Sequence, residues 1–233
     1  MRDRYERALI VGAGEGLSAA LARRLAGAGM KVGLAARSVQ KIDALAAETG
    51  AATQRCDATS RADVAALFAA MDGALGGPPE VVIYNASHRV RGPFVGLDPA
   101  EVERTLAVCA FGGFLVAQEA ARRMLGAGRG AILFTGASAS VKGYAQSAPF
   151  AMGKFALRGL AQSLARELQP QGIHVGHVVI DGGIRSARRM EPAGTPDSLL
   201  DPAAIAQAYL DLLNQDRSAW TWEIELRPWV ERF

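Results

Sequence analysis

Short apolar runs alternate with stretches of helical period along the whole chain. ALIVGA (8–13), MKVGLAAR (30–37), ATQRCD (52–57), EVVIYNAS (80–87), GAILFTGA (130–137), IHVGHVVI (173–180) and TWEIELRP (221–228) read as buried strands. Between them, apolar residues recur every three or four positions. Leu17, Leu21 and Leu25 share one face of a first helix that ends in glycines. Ser38 opens a second helix, and Ser60 with Asp63 forms a capping box for a third, through Met71. Asp98, Pro99 and Glu101 mark the start of one long helix to about Leu125. A helix over 149–168 follows, and Asp201-Pro202 opens the last, to about Asn214. Strands alternating with helices of ~10–20 residues predict a parallel sheet covered on both faces. The pattern has no break, linker or low-complexity stretch, so it predicts a single doubly wound α/β domain over 1–233. The polar stretch 185–200, RSARRMEPAGTPDSLL, is left as a loop.

Composition narrows the picture. Half of the 233 residues are apolar, enough for a substantial core. The net charge is +3, but the arginines are scattered and no basic block is interleaved with aromatics, which argues against nucleic acid as a partner. Cys56 and Cys109 stand alone, with no CxxC and no histidine partner. That pattern argues against a metal site or a disulfide framework and fits an intracellular setting. MRDRYERALIVGAG carries charges where a signal peptide needs an apolar core. No apolar run reaches the ~20 residues of a membrane span. The expectation is a cytoplasmic protein with no membrane partner.

The first strand runs into Gly12-Ala-Gly14-Glu15-Gly16-Leu17-Ser18 and then a helix. Glycines there let a backbone approach a pyrophosphate at a helix N-terminus. A tight structural turn is the alternative, but its place in the first βα unit favours a dinucleotide site. The spacing resembles the TGxxxGxG of the short-chain dehydrogenase/reductase family, with Val11 for the threonine and Ser18 for the last glycine. In order, CDA (56–58, with Asp57 and Ala58) resembles the family's adenine-side motif, and YNAS (84–87, with Asn85 and Ala86) resembles NNAG. FAMGK (150–154) is similar to YxxxK, and DGGIRS (181–186) to PGxIxT through Gly182, Ile184 and Ser186. The resemblance implies a seven-stranded Rossmann-type domain that binds NAD(H) or NADP(H). Arg37, at the end of the second strand, suits a 2′-phosphate through charge-assisted hydrogen bonds and favours NADP(H). A solvated strand-end arginine is the plainer alternative, and Glu15 in the turn argues the other way.

The same resemblance implies an active site of Asn, Ser, Tyr and Lys. Lys154 matches the lysine, which in the family binds the nicotinamide ribose. Phe150 stands at the tyrosine position and Cys109, in LAVCAFGGFLVAQ, at the asparagine position. The serine position falls on Ala137; Ser138 is one place off, and Ser140 is a poorer candidate. A phenylalanine cannot donate a proton. Tyr144 and His88 are the candidate replacements, with a surface role favoured for His88; His174 and His177 read as packed on the sixth strand. Arg89, Arg91, Arg185, Arg188 and Arg189 flank the expected cleft mouth, consistent with an anionic substrate or with a solvated rim. Two functions follow. One is an atypical oxidoreductase acting on a small carbonyl or enoyl/acyl-type substrate. The other is a non-catalytic dinucleotide-binding protein serving as a sensor or assembly partner. Trp220, Trp222, Trp229 and Phe233 make an aromatic tail, and in similar proteins the last strand and the 99–125 helix meet partner subunits, so a homodimer or homotetramer is expected.

Overall fold

The computed structural model describes residues 5–231. Its strands are β1 (Arg7–Val11), β2 (Lys31–Ala36), β3 (Ala52–Arg55), β4 (Val81–Tyr84), β5 (Gly130–Thr135), β6 (Ile173–Ile180) and β7 (Glu223–Leu226). They form one seven-stranded sheet in the order β3-β2-β1-β4-β5-β6-β7, with every pairing parallel. The helices are α1 (Leu17–Gly27), α2 (Asp43–Thr49), α3 (Arg61–Ala74), α4 (Pro99–Leu106), α5 (Gly112–Ala127), α6 (Ala148–Leu168) and α7 (Pro202–Leu213). The strand order reverses between β1 and β4. Ligands of open α/β sheets bind at that switch point, beyond the carboxyl ends of the strands.

β4, β5 and β6 are buried along their whole length, which is why their sequences are unbroken apolar runs. Phe68, Val116 and Leu157 bring α3, α5 and α6 onto one face of the sheet; Leu21, Leu25 and Tyr209 bring α1 and α7 onto the other. β3, at one edge, alternates between half-buried and exposed positions. Asp98 and Asp201 cap α4 and α7 by accepting from the backbone N–H of Ala100 and Ala203.

The long helix expected over 99–125 is instead two helices, α4 and α5, joined by a π-turn at Ala107–Phe111. The Tyr84 hydroxyl donates to the carbonyl of Val108 inside that turn. Ser38 does not start an α-helix; a 3₁₀ turn (Val39–Ile42) precedes α2, and the Ser38 hydroxyl lies 3.0 Å from Gln40 Oε1. The box at the start of α3 is half formed. Ser60 Oγ accepts from the Asp63 N–H, but Asp63 reaches back to the Asp57 N–H at 3.0 Å. The aromatic tail partly folds onto its own sheet: Trp220 stacks on His174, and the Trp222 ring packs on the core beneath Arg158. Trp229 is 81% exposed, and Phe233 lies outside the described residues. Among the described residues, no helix is long and apolar enough to cross a membrane.

Candidate active site

β1 ends where the backbone turns at Gly12, whose φ is +89°. A Cβ there would lie 2.3 Å from the Ala86 nitrogen, so only glycine fits. This close approach presses the glycine-rich turn against the turn that follows β4. Asn85 Nδ2 donates to Ser18 Oγ at 2.6 Å, and Ser18 Oγ donates to the Gly12 carbonyl at 2.9 Å. Ser18 thus serves as a buried strut between the two turns. Gly16 caps α1 with no side-chain hydrogen bond, and the first turn of α1 contains no acid. The first N–H groups of the helix are therefore left for an anion. Gly14 is partly buried and Glu15 exposed.

Three hollows line this end of the sheet. The first, 270 Å³, is bordered by Gly12, Arg37, Asp57, Ala58, Asn85 and Ala86. Hydrogen bonds from Thr59, then the nearby charge of Arg37, hold the Asp57 carboxyl below its ordinary value. The second, 310 Å³, lies over Gly16 and Leu17 and is closed by Ile184, Ser186, Arg188 and Arg189. The third and deepest in function is a 520 Å³ cleft that shares Asn85 with the first hollow and Leu17, Ile184 and Arg189 with the second. Gly182 borders it with φ +155°, and a Cβ there would meet Pro228 at 2.8 Å. A glycine cradle, an uncapped helix start and a basic residue beside the first hollow together fit a dinucleotide.

The motif residues of the catalytic positions are not all brought to this cleft. Phe150 lines it, with the Arg89 guanidinium 5.1 Å from its ring centre. Lys154 lies behind, 3% exposed, donating to the Thr135 carbonyl at 2.8 Å with Nζ 5.8 Å from the Phe150 ring. Burial lowers the pKa of this lysine. Cys109 is buried in the π-turn, and its thiol donates to the His88 carbonyl at 3.3 Å. Gly153 lets α6 press on that turn, because a Cβ there would sit 2.7 Å from the Cys109 Cβ.

Hydroxyls are distributed differently from the sequence-based expectation. Ser138 lines the cleft beside Ala137, near the Asp181 carboxylate, which Lys142 Nζ holds at 2.8 Å. Burial alone would raise the Asp181 carboxyl; the hydrogen bond from Lys142, with Ser138 and the Arg227 charge nearby, outweighs it and keeps the group below its ordinary value. Ser140 is fully buried and accepts from the Ala137 N–H, which removes it as a substrate ligand. Tyr144 and Ser147 both border the cleft. His88 does not border it and pairs with Glu101 at 2.8 Å. Arg185 is likewise taken, by Asp201 at 2.7 Å.

Sequence reasoning did not single out Asp181, Ser147 or the group behind Lys154. There, His177 Nδ1 contacts Glu223 at 2.9 Å, and Glu223 receives two hydrogen bonds from Arg158. Burial depresses His177 to about 4, so the imidazole is neutral and gives its proton to Glu223. Its Nε2 is buried with no partner, directly under Gly136 of the cleft floor. A strand histidine followed by an acid on the neighbouring strand carries no local pattern by which to find it.

The strand order and the glycine turn at the switch point define a doubly wound domain of the dinucleotide-binding class. A sequence model described as short chain dehydrogenase matches residues 6–193, and the chain belongs to the short-chain dehydrogenase/reductase family, one of dinucleotide-dependent oxidoreductases. D-threitol dehydrogenase of Mycolicibacterium smegmatis is 30% identical over 175 residues, 73% of this chain and 67% of that protein. D-erythrulose reductase of Gallus gallus is 33% identical over 176 residues, 75% of this chain and 70% of that protein. Among solved structures, a short-chain dehydrogenase from Rhodopseudomonas palustris is similar with a TM-score of 0.83 and 35% identity, over 97% of this chain and 100% of that one. A metagenomic short-chain oxidoreductase in complex with NADP has a TM-score of 0.84 and 28% identity, over 97% and 98%. These relatives are named for different compounds, so membership does not carry a substrate to this chain.

Proposed function

We propose that the protein is an NADP(H)-dependent oxidoreductase that transfers hydride to or from a small carbonyl or enoyl/acyl-type substrate in the 520 Å³ cleft. The observation that carries this reading is the continuous run of hollows from Arg37, past the uncapped start of α1, to a cleft floored by Phe150 and backed by Lys154. The cofactor, when bound, supplies the hydride. Gly12, Gly16 and the first N–H groups of α1 hold its pyrophosphate, Arg37 its 2′-phosphate and Asp57 its adenine. Gly182, Ile184 and Ser186 border the nicotinamide side. Lys154, which donates to the Thr135 carbonyl behind the cleft, is assigned to the ribose.

The chain's own residues exclude the usual proton route. Phe150 has no hydroxyl, and Ala137 stands at the serine position. Tyr144 is the remaining phenol on the cleft wall. Reduction of an activated double bond, protonated from water, suits such a site best. The same two observations favour the alternative of a dinucleotide-binding protein without turnover. Free, buried Cys56 and Cys109 suit a reducing, cytoplasmic setting. Phe111 and Phe114, stacked on α5 and its π-turn, and Met152 and Phe155 on α6 remain exposed, which supports a homo-oligomer built on these helices.

Fluorescence titration of NADPH and NADH tests the cofactor assignment. The native protein should bind NADPH more tightly, and Arg37→Ala should lose about tenfold in NADPH affinity with little change for NADH. Equal native affinities would overturn it. NADPH oxidation with a panel of ketones, quinones and enoyl compounds then separates the two functions: consumption with any of them supports the enzyme, and binding without consumption supports the sensor.

A further inference from the structure

We propose that the cleft is built for an anionic substrate, a carbonyl compound bearing a carboxylate or phosphate, held by Arg89, Arg91 and Arg189 with a hydrogen bond from Ser147. The inference rests on the reading of this cleft as the substrate site. Three arginines border the cleft and no aspartate or glutamate does. Among the described residues, none of the three makes an ion pair. Arg89 lies over the Phe150 ring, so its charge is placed against the position where a proton donor is missing. Burial, then the charges of Arg91 and Arg189, lower the pKa of Arg89, as converging cations do when no anion separates them.

Ser147 supplies an independent observation. It is 1% exposed, stands at the N-cap of α6 without making a capping bond, borders the cleft, and its hydroxyl has no partner. Leaving a buried hydroxyl unpaired costs about 1–3 kcal/mol, so such a group points to a ligand that completes it. The neighbouring backbone is also strained: Gln146, a non-glycine, has φ +59°. Its carbonyl accepts from the Gly92 N–H at 3.1 Å, which ties the Arg89–Arg91 segment to the Ser147 segment. Two loops distant in sequence are thereby held as one wall, with cations on one side and a free hydroxyl on the other.

Arg89 and Arg91 sit on the substrate side and border neither of the two smaller hollows. That placement separates them from the cofactor phosphates and sets the test. The full chain, saturated with NADP⁺, is titrated calorimetrically with 4-acetylbenzoate, its methyl ester and 4-acetylphenyl phosphate. At least one of the two anions should bind about tenfold more tightly than the ester, and added salt should narrow the gap. The stronger of the two anions identifies carboxylate or phosphate as the preferred group. Arg89→Gln/Arg91→Gln should bring anion and ester to within about twofold while NADP⁺ affinity is unchanged. Ser147→Ala should weaken the anion about threefold yet raise the melting temperature of the substrate-free chain, because no protein hydrogen bond is lost and an unpaired buried hydroxyl is removed. Equal binding of anions and ester to the native protein overturns the proposal, as does a preference that survives the double substitution. A fall in NADP⁺ affinity in that variant also overturns it, since the arginines would then belong to the cofactor. Turnover of the same compounds with NADPH separates this inference from the one beneath it. An anion that binds preferentially but is never reduced, with 4-carboxycinnamaldehyde as an enoyl probe beside the ketones, leaves the clamp standing and removes the oxidoreductase. Reduction of acid and ester with equal KM does the reverse.

Discussion

Phe150 and Lys154 lie one helical turn apart, and the structure separates their roles. The phenylalanine faces the cleft, and the lysine is enclosed behind it. Phe150→Tyr adds one hydroxyl where the family's general acid stands. Carbonyl reductase activity on test ketones and quinones should rise at least tenfold, short of the ~10²–10⁴ that a positioned acid supplies. Initial rates with NADPH check this; equal rates in native and variant protein would mean that another residue, Tyr144 first, already donates the proton. The Lys154 amine is buried, with its hydrogen bond going to the Thr135 carbonyl, an arrangement whose desolvation the fold itself does not repay. Lys154→Met should therefore raise the urea midpoint while weakening NADPH binding. A lysine with only a structural role would show the opposite pair of results.

At the scale of elements, the π-turn between α4 and α5 is the feature that shapes the back of the site. π-turns widen a helix locally and often mark functional positions. Here one directs Cys109 toward the His88 carbonyl and receives the Tyr84 hydroxyl. α6 can approach it only because residue 153 is glycine. Gly153→Ala should cost about 1–3 kcal/mol in urea denaturation through overpacking against Cys109. Adding Cys109→Gly should recover part of that loss, a coupling that a double-mutant cycle measures directly.

Across the whole molecule, the histidines couple stability to pH. His177 titrates near 6.5 when unfolded and about 4 when folded, with burial as the main cause and the Lys154 and Arg158 charges opposing the pull of Glu223. Between those values the unfolded chain binds the extra proton, so stability falls as pH drops, by roughly 3 kcal/mol at most. Above the unfolded value both states are neutral and the contribution is flat. His174, lowered by burial, adds to the same slope. Urea denaturation at pH 4.5 and 7.5 should show this loss, and His177→Leu should reduce it. The exposed aromatics of α5 and α6 bear on assembly. Light scattering at micromolar concentration should give a dimer or tetramer, and Phe114→Glu/Phe155→Glu should give a monomer. A monomeric native mass would count against the assembly.

The sequence alone determined the parallel sheet, because strand-length apolar runs alternating with helical periods admit few other packings. It also determined the glycine turn, since Gly12 answers a local demand for positive φ and close approach. The absent hydroxyl at position 150 is equally plain from the letters. What periodicity could not reveal was the π-turn, because one residue added to a helix leaves the apolar pattern of 99–125 almost unchanged. Tertiary structure alone decided how the serines ahead of α6 are placed. Ser138 borders the cleft, Ser140 is buried and accepts from the Ala137 N–H, and Ser147 is buried with its hydroxyl unpartnered, although all three are small polar residues ahead of the same helix. The distinction depends on burial set by distant segments, such as the loop after β4, whose Gly92 N–H bonds the Gln146 carbonyl. A hydrogen bond across such separations leaves no trace in the local pattern of either segment.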